Sequence, residues 1–226
     1  MTGASRGIGA AIALRLVQMG WPVMLLGRDA DALAQSAAAC EEQGGMAHWL
    51  AGDLAEDEFM TEAGAQTRSR LGPVDVLVNN AGVAIMQPVQ AADMTAWRRL
   101  MQINFDSAVF LANAVLPSML ARETGAIINI SSISGRNTGP GAGAYSASKH
   151  ALNGFSGCLF EDVREQGIKV SSVMPGFVAT DLTDGLGLEA SRMIRASDVA
   201  DCVEFILGSS SHCCPTEIVL RPQLSL

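Results

Sequence analysis

Short apolar runs alternate with longer stretches that carry apolar residues at helical spacing. The runs predict strands over Pro22–Gly27, Ala47–Gly52, Val74–Asn80, Ala126–Ser131, Lys169–Met174 and Glu217–Arg221. The stretches between them predict helices over Gly7–Met19, Asp31–Glu42, Glu56–Arg70, Asp93–Ala121, Ala144–Glu165 and Ser197–Leu207. Strand and helix in strict alternation predict right-handed βαβ units, and so an α/β fold with a doubly wound parallel sheet of the Rossmann type. No repeat, low-complexity tract or linker interrupts the pattern, so residues 1–226 are expected to form one domain.

One element is absent from the pattern. A glycine-rich turn, Thr2–Gly9, begins directly after Met1. In a dinucleotide-binding fold such a turn follows a strand, and that strand is central in the sheet. Leaving it out sets its neighbours roughly 9–10 Å apart, about twice the usual spacing. Each facing backbone group left unpaired costs about 1–3 kcal/mol. A sheet with this gap is expected to be unstable.

Composition narrows the function classes. Hydrophobic residues make up 49% of the chain and charged residues 17%, a balance suited to strands buried on both faces. The net charge of −8 argues against nucleic acid as a partner. No run reaches the roughly 18 uninterrupted apolar residues of a membrane span, and no secretory leader pattern opens the chain. Neither a membrane partner nor secretion is expected, and the location is expected to be cytoplasmic. Cys40, Cys158, Cys202, Cys213 and Cys214 are scattered and odd in number, which reads as reduced thiols with no metal site. His48, His150 and His212 read as structural or exposed.

Four local motifs carry chemistry. In Thr2-Gly3-Ala4-Ser5-Arg6-Gly7-Ile8-Gly9, the glycines allow a tight turn and close approach of backbone to a pyrophosphate. The helix that follows presents free N–H groups to that anion. An ordinary glycine-rich turn has the same spacing. In Gly27-Arg28-Asp29, Arg28 together with Arg6 suits a 2′-phosphate through charge-assisted bonds, while Asp29 suits either ribose hydroxyls or a helix cap. Read alone, Arg28 is also an ordinary surface residue. Asn79-Asn80-Ala81-Gly82 ends a strand with small residues that admit a ligand, or it is a plain turn.

The fourth motif is the most specific. In Tyr145-Ser146-Ala147-Ser148-Lys149, a phenol and an ammonium lie four apart on one helix face. Tyr145 is the one tyrosine of the chain, and Ser132 lies 13 residues upstream at a strand end. A free tyrosine titrates near 10, and bringing it to about 7 takes roughly 4 kcal/mol. One ammonium at about 4 Å, with an effective dielectric near 20, supplies roughly that amount. Lys149 is therefore expected to lower the pKa of Tyr145 enough for proton transfer at neutral pH.

Taken together, the sequence resembles the short-chain dehydrogenase/reductase family in its compact subclass. The resemblance runs from Thr2 to about Pro222 and rests on Thr2–Gly9, Asp53-Leu54, Asn79–Gly82, Asn104, Ser131-Ser132, Tyr145–Lys149 and Pro175-Gly176-Phe177-Val178-Ala179-Thr180. It implies a seven-stranded parallel sheet and a tetrad of Asn104, Ser132, Tyr145 and Lys149. Ser132 then polarises a substrate carbonyl and Tyr145 protonates its oxygen as hydride arrives from the nicotinamide. Lys149 binds the nicotinamide ribose, and Asn104 holds a water that returns the proton. The resemblance also implies a cofactor site of Gly3, Ser5, Arg6, Gly7, Ile8, Gly9, Arg28, Asp53, Leu54, Asn80, Ala81, Gly82, Tyr145, Lys149, Pro175, Gly176, Val178 and Thr180. Within it Asp53 contacts adenine, and the residues from Pro175 to Thr180 line the nicotinamide.

The expected activity is reversible, NADPH-dependent reduction of a ketone or aldehyde, such as a 3-oxoacyl or similar small carbonyl compound, by a homodimer or homotetramer. NADP(H) is the expected cofactor, with NAD(H) as the second choice. The alternatives are an NAD-linked alcohol dehydrogenase and a non-catalytic NADP(H)-binding scaffold. The short span from Thr180 to Ser197 implies a small substrate lid. The terminus Glu217–Leu226 lacks the glycine-rich ending of many bacterial members, which weakens a link to acyl-carrier substrates. Members also place an apolar strand ending in valine before Thr-Gly, where this chain has Met1. A GTG codon reads as valine internally and as methionine at a start. The expectation is therefore that Met1 stands for an internal valine, and that the form beginning there binds NADPH weakly.

Overall fold

The strands of residues 1–225, which the computed structural model describes, fall into two parallel sheets. In the smaller sheet β1 (Val23–Gly27) pairs with β2 (Ala47–Ala51). The larger has the order β3 (Val76–Asn79), β4 (Gly125–Ile130), β5 (Ile168–Pro175) and β6 (Glu217–Leu220). The helices between them are α1 (Gly7–Gln18), α2 (Ala30–Glu42), α3 (Asp57–Leu71), α4 (Met94–Met101), α5 (Ser107–Arg122), α6 (Gly143–Val163) and α7 (Ala196–Gly208).

The central strands are mostly apolar because both faces are covered. Val78, Ile128, Ile130 and Val173 pack with Ile12 and Leu16 of α1 and with Val199, Val203 and Ile206 of α7. Their sequence neighbours Leu77 and Ile127, and Val170 three residues before Val173, turn to the other face, against Leu111 and Met119 of α5 and Leu159 and Val163 of α6. Side chains alternate across each strand, and here both sides are core.

The implied single sheet of seven strands is corrected to two sheets holding six. The slot between β1 and β3 contains only the short run Met1–Thr2, at its carboxyl end. Leu26 N–H donates to the Met1 carbonyl at 2.9 Å, and Thr2 N–H donates to the Val78 carbonyl at 3.1 Å. The Met1 amino group is enclosed there, donates to the Met24 carbonyl at 2.9 Å, and is pulled down to about pKa 5 by burial.

The helix expected over Asp93–Ala121 runs from Met94 to Arg122, with one irregular turn inside it. Asp93 caps α4 by accepting from the N–H groups of Thr95 and Ala96. A π-helical turn over Gln102–Asp106 then separates α4 from α5. Such turns insert one extra residue into the ladder, commonly at functional sites, and re-aim the side chains they carry. Here Ile103 and Asn104 turn inward. By length and composition alone Met94–Arg122 could cross a membrane, yet Leu111, Ala112 and Met119 within it sit in the core beneath β3 and β4.

Candidate active site

A cleft of about 630 Å³ opens at the carboxyl ends of the strands, where ligands bind in doubly wound sheets. Gly3, Ser5, Arg6, Gly7, Ile8 and Gly9 form one wall. Arg28, Asp53 and Leu54 line one end, with Asn80, Ala81, Gly82 and Thr180 along the rest. A recess of about 80 Å³ adjoins it, sharing Ile8, Asn80, Gly82 and Thr180. Ser132, Tyr145, Lys149, Pro175, Gly176 and Val178 complete the recess. Every expected site residue lines one of these spaces except Asn104, which stands behind Gly82.

The glycine-rich turn is shaped for a ligand that needs backbone at close range. A Cβ on Gly9 would collide with the Gly3 carbonyl oxygen, and Gly3 itself adopts φ +62° with Ala81 Cα only 2.8 Å from its would-be Cβ. No side chain caps the N-terminus of α1. Its free N–H groups and dipole are therefore available to a phosphate. This glycine cradle and open helix end fit a dinucleotide pyrophosphate.

Thr2 locks the turn to β3. It is 2% exposed. Its Oγ1 accepts from the N–H groups of Asn80 and Ala81, each at 3.0 Å. The Asn80 amide donates back to the carbonyls of Thr2 and Gly3 at 3.1 and 3.0 Å. These bonds cross the gap between the two sheets. Thr2→Val keeps the shape but leaves two N–H groups unpaired, which should cost about 1–3 kcal/mol. Differential scanning calorimetry should record a fall in Tm of roughly 3–10 °C, and Thr2→Ser should recover most of it. An unchanged Tm for Thr2→Val would remove this lock from the account.

At the far end of the cleft the charges are partly committed. Asp29 caps α2, accepting from Ala32 N–H at 3.1 Å, which settles the two readings of that residue in favour of the cap. Asp53 accepts from Ala55 N–H at 3.0 Å and pairs with Arg99. Burial pushes its carboxyl up, but the Ala55 N–H, Arg99 and Arg28 together hold it below the usual carboxylate range. Arg6, expected to be free for a phosphate, bonds instead to Asp181 at 3.0 Å across the cleft, and both side chains are mostly exposed. Arg28 has no ion-pair partner among the described residues.

The reactive recess is built on β4, α6 and the segment after β5. Ser132 begins a short 3-10 turn and its Oγ accepts from Ser134 N–H at 3.1 Å, which leaves its own proton free to donate. Helical spacing puts Tyr145 and Lys149 on one face, with the ammonium 5.9 Å from the phenol ring centre. Lys149 is 3% exposed and donates to the Ile130 carbonyl at 2.9 Å. The segment after β5 is pinned by bonds from Ile194 N–H to Phe177 O and from Ala179 N–H to Ile194 O, at 3.0 and 2.9 Å.

The expected depression of the Tyr145 pKa is corrected for the ligand-free chain. Burial pushes the phenol above its ordinary value, and the Ser132 side chain offsets part of that rise. Burial also pulls Lys149 down to about 8. Desolvation, which opposes the pull of Lys149, wins in this buried recess, and the ammonium hydrogen-bonds to the Ile130 carbonyl rather than to the phenol.

Asn104 ties the recess together from behind. Its side chain accepts from Val83 N–H at 2.8 Å and donates to the Val83 carbonyl at 2.9 Å. It also donates to Ser148 Oγ at 3.1 Å, and Ser148 Oγ donates to the Tyr145 carbonyl at 2.7 Å. A chain of bonds thus links the loop after β3 to the helix that carries Tyr145. Ser148, Arg99 and Asp181 were not singled out as site residues from the sequence. Their partners lie in separate segments, except for the i−3 bond of Ser148 on its own helix.

Comparison with known proteins agrees with this geometry. A family model described as short chain dehydrogenase matches residues 1–190. An uncharacterized oxidoreductase of Staphylococcus saprophyticus is 34% identical over 98% of this chain and 95% of its own. Among solved structures, a metagenomic short-chain oxidoreductase in complex with NADP is 34% identical with a TM-score of 0.87, covering 99% of this chain and 96% of its own. A variant of actinorhodin polyketide ketoreductase with NADPH is 28% identical with a TM-score of 0.91, covering 98% of this chain and 94% of its own. With the match spanning the glycine cradle and the Ser132, Tyr145 and Lys149 recess alike, the chain belongs to the short-chain dehydrogenase/reductase family.

Proposed function

We propose that the protein is an NADPH-dependent oxidoreductase that reduces a ketone or aldehyde to an alcohol, reversibly. The observation that carries this reading is the convergence of Ser132, Tyr145 and Lys149 in a recess that opens off a cleft shaped for a dinucleotide. Two similar oxidoreductases were solved with NADP and NADPH, which supports the same cofactor here.

Bound in the cleft, the cofactor supplies hydride to the carbonyl carbon. Gly3, Gly7 and Gly9 bring backbone to its pyrophosphate, and Arg28 and Arg6 hold the 2′-phosphate. Asp53 and Leu54 meet the adenine, and the segment from Pro175 to Thr180 lines the nicotinamide. Ser132 Oγ donates to the substrate oxygen. The Tyr145 hydroxyl gives that oxygen its proton, and the Lys149 ammonium stabilises the phenolate left behind. Asn104 fixes the loop and the helix around them and holds the water from which the proton is restored. A 3-oxoacyl compound or a similar small carbonyl is the substrate class. A homodimer or homotetramer in the cytoplasm belongs to the same proposal.

The direct test follows NADPH absorbance with a panel of ketones and aldehydes. Turnover of at least one class is the expected result. Tight NADPH binding with no turnover across the panel would instead make the chain a cofactor-binding scaffold.

A further inference from the structure

The charges around the recess bear on the kind of carbonyl compound that can enter it. Lys149 is the one charged residue lining the recess, and its ammonium is buried against the Ile130 carbonyl. Two arms continue from residues that line the cleft and the recess, Val83 in the one case and Thr180 in the other. One consists of the segments around Met86 and Gly141, joined by a bond from Gln87 N–H to Gly141 O at 2.7 Å. The other is the turn region that follows Thr180 and contains Leu182, which lines both the recess and the cleft.

The first arm, from Val83 to Ala92, has no charged residue. Across Ser132–Gly143 the one cation, Arg136, pairs with Glu217. In the second arm Arg192 pairs with Glu189 at 3.0 Å, and Asp184 has no ion-pair partner among the described residues. Arg6, the nearest cation on the cleft side, pairs with Asp181. Among the exposed residues of these arms are large apolar ones, with Met86, Leu182 and Leu186 exposed at 62%, 50% and 48%.

We infer that the site takes a neutral carbonyl compound with an apolar arm and rejects carbonyl compounds that carry a carboxylate or phosphate close to the reacting carbon. This rests on the reductase reading above and narrows its substrate. An anion brought to the recess gives up water and gains no guanidinium or ammonium in exchange. An apolar arm gains contact with Leu182, which lines the recess.

The test uses matched pairs with NADPH: levulinate and methyl levulinate, and phenylglyoxylate and its methyl ester. Each ester should exceed its acid by about 10- to 100-fold in kcat/KM, the worth of one missing charge-assisted bond. Along a series of straight-chain methyl ketones kcat/KM should climb about threefold per methylene until the arm outgrows the approach. Leu182→Arg should narrow the ester-to-acid ratio about tenfold by supplying the absent cation. Acids turned over as well as or better than their esters would overturn this inference and leave the reductase intact. NADPH binding with no turnover of any carbonyl would overturn both.

Discussion

Tyr145→Phe should lower kcat by about 100- to 10,000-fold, the usual contribution of a general acid, while leaving NADPH affinity nearly unchanged. The substitution removes only Oη. The ring still fills the space between Ser132 and Lys149, and Ser148 still accepts nothing from it, since that bond runs to the Tyr145 backbone carbonyl. No second phenol exists in the chain to take over. Ser132 is a poor substitute, because an unassisted hydroxyl is a far weaker acid than a phenol. In the ligand-free chain burial raises the phenol pKa, so Tyr145 is protonated at neutral pH and ready to donate in the direction of reduction. Steady-state kinetics with a carbonyl found active in the panel, together with fluorescence titration of NADPH, separate the two effects. A variant keeping more than about a tenth of wild-type kcat would show that the proton comes from elsewhere.

The parts of this site that the sequence displays are those whose geometry is local. Tyr145 and Lys149 share a helix face by spacing alone, and the glycine cradle lies within eight consecutive residues. The strands were legible because apolar runs between polar turns mark buried parallel pairs, and their ends moved by only one or two residues. The π turn was not legible. Apolar spacing continues through Gln102–Asp106, and nothing in the pattern records that one extra residue turns Asn104 inward. The role of Thr2 was hidden for a related reason: its hydroxyl partners lie 78 and 79 residues away, just after β3. Ion pairs behave the same way. Arg6 with Asp181 and Arg99 with Asp53 join distant segments, and a charge carries no local signal of its partner. The gap beside β1 was legible in the pattern, but the way Met1 and Thr2 bond to Leu26 and Val78 within it was not, since those partners are distant in sequence.

Cofactor choice should turn on Arg28. It follows β1 directly, lines the adenosine end of the cleft, and has no ion-pair partner among the described residues. Asp29, the residue that would otherwise favour ribose hydroxyls, has its carboxylate bonded to Ala32 N–H as the cap of α2. The end of β1 therefore offers an unpaired cation beside an acid whose Oδ1 is engaged as a helix cap, which favours a 2′-phosphate. Arg6 adds to this once it leaves Asp181, and an exposed pair of that kind costs little to break. Arg28→Asp removes the strongest donor and puts a carboxylate where the phosphate would sit. A charge-assisted bond of about 1.5–3 kcal/mol corresponds to roughly 10- to 150-fold in affinity, and like-charge repulsion adds to it. KM for NADPH should therefore rise by about 100-fold or more, while KM for NADH stays nearly constant or improves as the new acid meets ribose hydroxyls. The measurement is kcat/KM for both cofactors with one carbonyl substrate, in wild type and variant. Equal use of the two cofactors by the wild type, or a proportional loss of both in the variant, would place the selectivity outside Arg28.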